Sequence, residues 1–238
     1  MIIAEIGLNH LGSIKRAKKF IDKLVLTNVD AVTFQIREPE YKTPYTLPEW
    51  FYHSAKTYLK IHQKQFGIAI ADVSKIDFFE SLNVDFYKVI RNDILNTELI
   101  NKLILTNKKI IVSTGTCSEE DIQIFIKKYK NNNIVLNHTQ LSHNINDCNL
   151  SAISTLKNKF KINVSYGNHC TNHNVLYMAL CYNPSDILFY VKGSPFYNYP
   201  DDKHAINIKN VKKISANLSE LNQAIGSGIK NRMEIKIK

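Results

Sequence analysis

Residues 2–36 read IIAEIGLNHLGSIKRAKKFIDKLVLTNVDAVTFQI. An apolar, β-rich run at Ile2–Ile6 passes through a short loop to Ser13, whose hydroxyl can cap a helix extending to about Leu26. A second β-rich run follows at Ala31–Ile36. Strand, helix and strand in this order make one βαβ unit, which predicts two parallel strands joined by a helical crossover.

The same alternation continues along the chain. After a loop rich in proline (Pro39, Pro44, Pro48), Leu47–Gln65 carries a helical pattern. Strands are expected at Gly67–Ala71, Phe86–Ile90, Lys109–Ser113, Asn133–Asn137, Lys161–Tyr166 and Asp186–Val191. Helices are expected near Ser74–Leu82, Leu95–Thr106, after Ser118, near Leu150–Lys159, near Asn174–Tyr182 and at Ile208–Ile225. The run Ser118-Glu119-Glu120-Asp121 suits a helix start, where acidic side chains meet the positive end of the dipole. Eight strands alternating with eight helices predict an α/β protein with a single (β/α)8 barrel over residues 1–238. A doubly wound open sheet is the alternative, but no G-x-G-x-x-G follows the first strand. Lys230–Lys238 reads as a basic tail or a short extra strand.

Composition narrows the function classes. Of 238 residues, 44% are hydrophobic and 22% charged, an ordinary globular balance. No apolar run approaches the roughly 20 residues that span a bilayer, so no membrane association is expected. The N-terminus lacks a basic stretch ahead of an apolar core, so a cytoplasmic location is expected. Cys117, Cys148, Cys170 and Cys181 form no C-x-x-C pair and read as free thiols. The net charge of +10 is spread along the whole chain, with no nucleic-acid-binding motif. No nucleic-acid partner is expected.

In a (β/α)8 barrel the chemistry lies at the C-terminal ends of the strands. Those ends offer Glu5, Asn9 and His10, then Gln35 and Arg37, then Lys88, Arg91 and Asp93. Ser113, Thr114 and Gly115, His138, Asn168 and His169, and Lys192 complete the set. Several cations converging on one mouth suit an anionic, phosphorylated ligand.

Three segments resemble the sialic acid synthase family. Ile2–Gly12 is similar to its opening motif I-A-E-I-G-x-N-H-x-G, Asp30–Gln35 to D-A-V-K-F-Q, and Val112–Gly115 to its S-T-G. Phe86-Tyr87-Lys88 and Tyr166–His169 resemble F-K-I and Y-S-D-H, and the order holds across nearly the whole chain. The resemblance implies a (β/α)8 enzyme that condenses phosphoenolpyruvate with an N-acetylated aldose such as N-acetylmannosamine. It also implies a divalent metal, manganese or magnesium, that polarises the sugar aldehyde. By position, His169 matches one of two metal-binding histidines, and Lys88 and Ser113 match ligands of phosphoenolpyruvate. Asp202 matches an aspartate on the sugar, and Glu5 and Gln35 match residues at the reaction centre. A homodimer is a further expectation.

Several family positions differ. The second-strand lysine is Thr33, a threonine after strand three is Ala69, a serine after strand four is Arg91, and an asparagine after strand six is Gln140. The serine before the metal histidine is Gly167. The strand-eight E-x-H, which holds the second metal ligand, is read at Phe189-Tyr190-Val191, followed by Lys192. Arg37 or Arg91 can supply the missing phosphate charge. A lone imidazole needs substrate oxygens and water to complete a metal sphere. No C-terminal antifreeze-like domain is expected. Two alternatives stay open: a metal-independent Schiff-base aldolase or lyase using Lys192 or Lys88, and a non-catalytic or sugar-binding barrel.

Overall fold

The computed structural model describes residues 1–41, 45–90, 94–130 and 133–230. Eight parallel strands follow one another around a closed barrel: β1 (Ile2–Gly7), β2 (Ala31–Ile36), β3 (Gln65–Ile70), β4 (Phe86–Val89), β5 (Lys109–Ser113), β6 (Ile134–His138), β7 (Asn163–Asn168) and β8 (Ile187–Lys192). β8 pairs back onto β1, with Tyr190 opposite Glu5, and this closes the barrel. Helices α1 (Ile14–Leu24), α2 (Glu49–Ile61), α3 (Ile76–Ser81), α4 (Thr97–Leu105), α5 (Glu119–Tyr129), α6 (Ala152–Phe160), α7 (Val175–Leu180) and α8 (Ile208–Ala224) make the crossovers. The predicted (β/α)8 architecture is therefore observed, and the doubly wound alternative is excluded by the β1–β8 pairing.

Strand alternation sorts the side chains. Ala4, Val32, Ile68, Val112, Leu136 and Phe189 face outward and join the helices in the main core. Ile3, Ala31, Phe86, Ile111, Val135 and Leu188 form a separate cluster inside the barrel. Gly67 makes room for that inner layer, since a Cβ there would lie 2.3 Å from the Phe86 ring. Beneath it, Asp186 is 1% exposed and takes two bonds from Lys109 Nζ, at 2.7 and 2.8 Å, with the N-terminal ammonium 3.3 Å away. These groups close the lower end of the barrel.

Local chemistry sets the helix ends. Ser13 caps α1 through the amide of Arg16, and Ser118 and Asp121 form a reciprocal capping box on α5. Some expected boundaries shift. The Leu47–Gln65 pattern yields a shorter helix that starts after Pro48 and stops before Gln63, whose φ is +56°. Lys161 is not in a strand; it ends α6 in the left-handed region. A short strand β9 (Ile206–Asn207) pairs with β8 and was not expected. The expected tail or strand at Lys230–Lys238 falls outside the described residues beyond Lys230. All four cysteines are free thiols. No helix among the described residues is long and apolar enough to cross a membrane.

Candidate active site

At the C-terminal end of the strands lies a cavity of roughly 140 Å³. Its wall includes Gln35 and Arg37 from β2 and the loop after it, Lys88 and Ile90 from the end of β4, Ser113 from β5 and Asn137 from β6. Thr139 and Leu141 follow β6, His169 follows β7, Tyr190 lies on β8 and Asp201 lies in the loop between β8 and β9. A larger cavity of about 350 Å³ shares Gln35 and Arg37 and is bounded by Tyr45, Tyr52, Asp72 and Phe78.

A buried ion pair sits at the base of the smaller cavity. Lys88 Nζ reaches across the barrel from β4 to Glu5 Oε1 on β1, at 2.5 Å, with both side chains at most 5% exposed. The same ammonium lies 5.4 Å from the centroid of the Tyr190 ring. Beside this pair, the hydroxyl of Thr33 is buried without a partner among the described residues, as is that of Thr139 on the cavity wall. Buried polar atoms are normally satisfied, so the orphan hydroxyl of Thr139 marks a place on the wall where a ligand oxygen can bind. Gly167 leaves space that the Asn137 amide fills, since a Cβ there would lie 2.6 Å from its nitrogen. Arg37 forks onto Glu38 at 2.9 and 2.6 Å while remaining on the cavity wall.

Three imidazoles stack above this floor. His169 lies 4.3 Å from His204, and His204 lies 5.3 Å from His143, centroid to centroid. Burial, followed by the neighbouring cations and rings, pushes His169 down to about 2 and His204 down to about 3. Both are therefore neutral at pH 7, and neither ring nitrogen of His204 has a hydrogen-bond partner among the described residues. Asp201 moves the other way: burial and then the charge of Glu5 raise its carboxyl to about 7.

The structure brings Glu5, Gln35, Arg37, Lys88, Ser113 and His169 together, as the sequence suggested. Six other expected contacts lie outside the cavity wall. Asn9 donates to Val191 O at 2.8 Å and accepts from the Asp201 amide at 3.3 Å, so it ties loops together. His10 is fully buried against Phe34, with Nδ1 accepting from the Gly12 amide. Asn168 points outward, where it bonds Tyr166 and the backbone of Cys170. Gln140 is half-buried away from the lining. Lys192 and Asp202 pair with each other, at 3.1 Å between Nζ and Oδ1. Asp202, the expected sugar contact, thus lies off the cavity wall, and its neighbour Asp201 faces the cavity instead. Arg91 and Asp93 fall outside the described residues.

Strand parity explains most of these displacements. His138 and Asn168 lie on the outward faces of β6 and β7, leaving Asn137, Thr139 and His169 to point inward. On β8 the outward residues are Phe189 and Val191. Of the segment Phe189-Tyr190-Val191, only Tyr190 therefore faces the cavity. Tyr190, Thr139 and Asp201 were not singled out from sequence. For Asp201 the signal was the Asp201-Asp202 doublet, ambiguous without the backbone.

The donors around His169 do not fit a divalent metal held by this chain. Among the described residues, no three His, Cys, Asp or Glu side chains are arranged to hold an ion. On β8 the residue that lines the cavity is Tyr190, so no second imidazole or carboxylate reaches it from that strand. His204 stacks on His169 with 25° between the ring planes, so the in-plane lone pairs of the two rings do not converge on one ion.

The chain matches the family model described as the NeuB family over residues 13–230. It is 28% identical to the N,N'-diacetyllegionaminic acid synthase of Campylobacter jejuni, with 97% of this chain and 78% of that protein aligned. It is 24% identical to the pseudaminic acid synthase of the same organism, over 95% of this chain and 75% of that one. The solved structure of an N-acetylneuraminic acid (sialic acid) synthetase from Leptospira borgpetersenii superposes with a TM-score of 0.90 at 23% identity. That match covers 98% of this chain and 87% of the other, and it shows the shared fold.

Proposed function

Because the chain belongs to the NeuB family, we propose that it condenses phosphoenolpyruvate with an N-acetylated amino-sugar aldose to give a nonulosonic acid and phosphate. The observation that carries this reading is the cavity at the barrel's C-terminal end, with the buried Lys88–Glu5 pair at its base and Arg37, Ser113 and Thr139 on its wall. An enol phosphate carries a carboxylate and a phosphate. Lys88 and Arg37 are the cations on the described wall, and Ser113 and Thr139 supply hydroxyl donors. Glu5 holds the Lys88 ammonium in one position, so little ordering remains when the anion arrives.

The acceptor sugar enters through the larger cavity that shares Gln35 and Arg37. Gln35, at the junction of the two cavities, is suited to orient the aldehyde beside the enol carbon. A Schiff base is disfavoured, because both candidate amines are held by carboxylates, Lys88 by Glu5 and Lys192 by Asp202. An amine nucleophile is instead freed by desolvation or a neighbouring cation.

The test is incubation with phosphoenolpyruvate and a panel of N-acetylated and diacetamido hexoses. The readouts are phosphate release and product mass. The reading predicts acceptor-dependent phosphate release, with a product heavier than the acceptor by the pyruvate unit. Phosphate release without a condensed product, or no release with any acceptor, contradicts it.

A further inference from the structure

Condensation needs a positive partner for the acceptor's carbonyl oxygen as the enol carbon attacks its carbonyl carbon. The residues around His169 do not supply that partner through a metal ion held by this chain. Resting on the synthase reading above, we infer that the proton on Asp201, in place of a metal held by the protein, activates the acceptor carbonyl.

Several independent observations place Asp201 for this step. It lines the cavity together with Lys88, His169 and Tyr190. Its amide is held by Asn9, which is itself anchored to β8 through Val191 O. Its Oδ2 lies against Gly7, which takes φ +54°; a Cβ at that glycine would lie 3.5 Å from Oδ2 and 2.8 Å from the Tyr190 ring. A side chain at position 7 would thus press on both groups. The carboxyl oxygens of Asp201 have no hydrogen-bond donor among the described residues, and His204 Nε2 stays 3.8 Å away. A carboxyl so placed is available to a substrate oxygen.

The charges around it favour keeping the proton until the reaction uses it. Glu5 faces it from β1, Lys88 from β4, and the neutral His204 ring lies 3.8 Å away. Burial and Glu5 outweigh Lys88 and keep the carboxyl partly protonated near neutral pH. A carboxylic acid with a pKa near the working pH is well matched to proton transfer. The lysine at the strand-eight position, Lys192, is neutralised by Asp202 and does not line the cavity.

The step balances. The enol carbon of phosphoenolpyruvate forms a bond to the aldehyde carbon, and the carbonyl π pair takes the proton from Asp201. Water adds to the cation left at the phosphate-bearing carbon and returns a proton to the Asp201 carboxylate. The carbon–oxygen bond to phosphate then breaks, leaving the keto acid and inorganic phosphate.

The test compares turnover of the full chain after metal stripping, in chelator and with added Mn²⁺, for the wild type and Asp201→Asn. Titration of Mn²⁺ into the wild type and His169→Ala, followed by electron paramagnetic resonance, reads metal binding without needing turnover. Expected are wild-type rates within about twofold in chelator and in Mn²⁺, a loss of about 100-fold or more in the folded Asp201→Asn variant, and no saturable Mn²⁺ site. Turnover that requires Mn²⁺, or a Mn²⁺ site lost in His169→Ala, overturns the inference and leaves the synthase reading standing. A folded Asp201→Asn variant with wild-type rate also overturns it. No product in either condition with any acceptor removes the synthase reading and the inference together.

Discussion

Lys88 and Glu5 show how one pair can serve both fold and function. Two charges at 2.5 Å inside the barrel offset each other's desolvation, so removing one leaves the other buried and unpaired. Lys88→Met should lower unfolding free energy by about 3–5 kcal/mol in urea titrations. The double variant Lys88→Met/Glu5→Gln should recover much of that stability without recovering activity. Asp201 gives a second test of charge at this scale. Its folded-state pKa is raised from 3.8 to about 7, so the folded chain binds the extra proton in that window. The associated stability is present below the unfolded value and lost as pH rises through 7. Asp201→Asn removes that loss, and it should therefore be more stable than wild type at pH 8, by on the order of 1–3 kcal/mol, with little difference at pH 4. Lys88, Ser113 and His169 were legible in the sequence because each lies in a recognisable motif at a strand end. Asp201 was not, because two adjacent aspartates are equivalent until the loop's direction is known.

At the scale of the element, strand parity decides which side chains reach the cavity. On β6, Ile134 and Leu136 face the helices while Val135 faces the barrel interior. Both faces are apolar at the lower end, so the sequence pattern does not tell which of Asn137 and His138 points inward. The same ambiguity hid the outward turn of Asn168 and the inward position of Tyr190. Gly67 shows the interior constraint most directly. A methyl group at this site meets the Phe86 ring at 2.3 Å, so Gly67→Ala should cost about 1–3 kcal/mol through overpacking. Thermal denaturation reads this, and Gly67→Ala with Phe86→Leu should restore part of the loss. Helix boundaries were less legible than strand existence. Pro48 and the left-handed Gln63 trim α2 at both ends, and neither effect is visible in apolar periodicity alone.

For the whole molecule, alternation of strands and helices was sufficient to predict the barrel, because each βαβ unit is right-handed and eight of them close. What the alternation could not show is how loops from distant parts of the chain meet above the barrel. His143 from the loop after β6, His169 after β7 and His204 ahead of β9 converge only through closure. The buried imidazoles have an acid signature. His10, His169 and His204 are held at about 4, 2 and 3 in the fold, against an ordinary 6.5. Below 6.5 the unfolded chain binds more protons than the folded one. The stability from these neutral rings is therefore present above 6.5 and lost as pH falls from there. Each ring forfeits on the order of 1–2 kcal/mol by pH 5, while Asp201 contributes in the opposite direction. Urea midpoints should fall between pH 7.5 and pH 5, and His204→Phe should flatten that fall. A midpoint unchanged across this range contradicts neutral rings at His10, His169 and His204.

The claim that joins these scales is that the cavity around Lys88 is an enol phosphate site. Calorimetric titration of phosphoenolpyruvate into the wild type, Lys88→Met and the milder Ser113→Ala tests it most directly. Saturable binding to the wild type is expected, weakened by about tenfold or more in Ser113→Ala and abolished in a folded Lys88→Met, since each charge-assisted bond to the anion contributes about 1.5–3 kcal/mol. Absence of binding to the wild type, or equal affinity in all three proteins, contradicts the account.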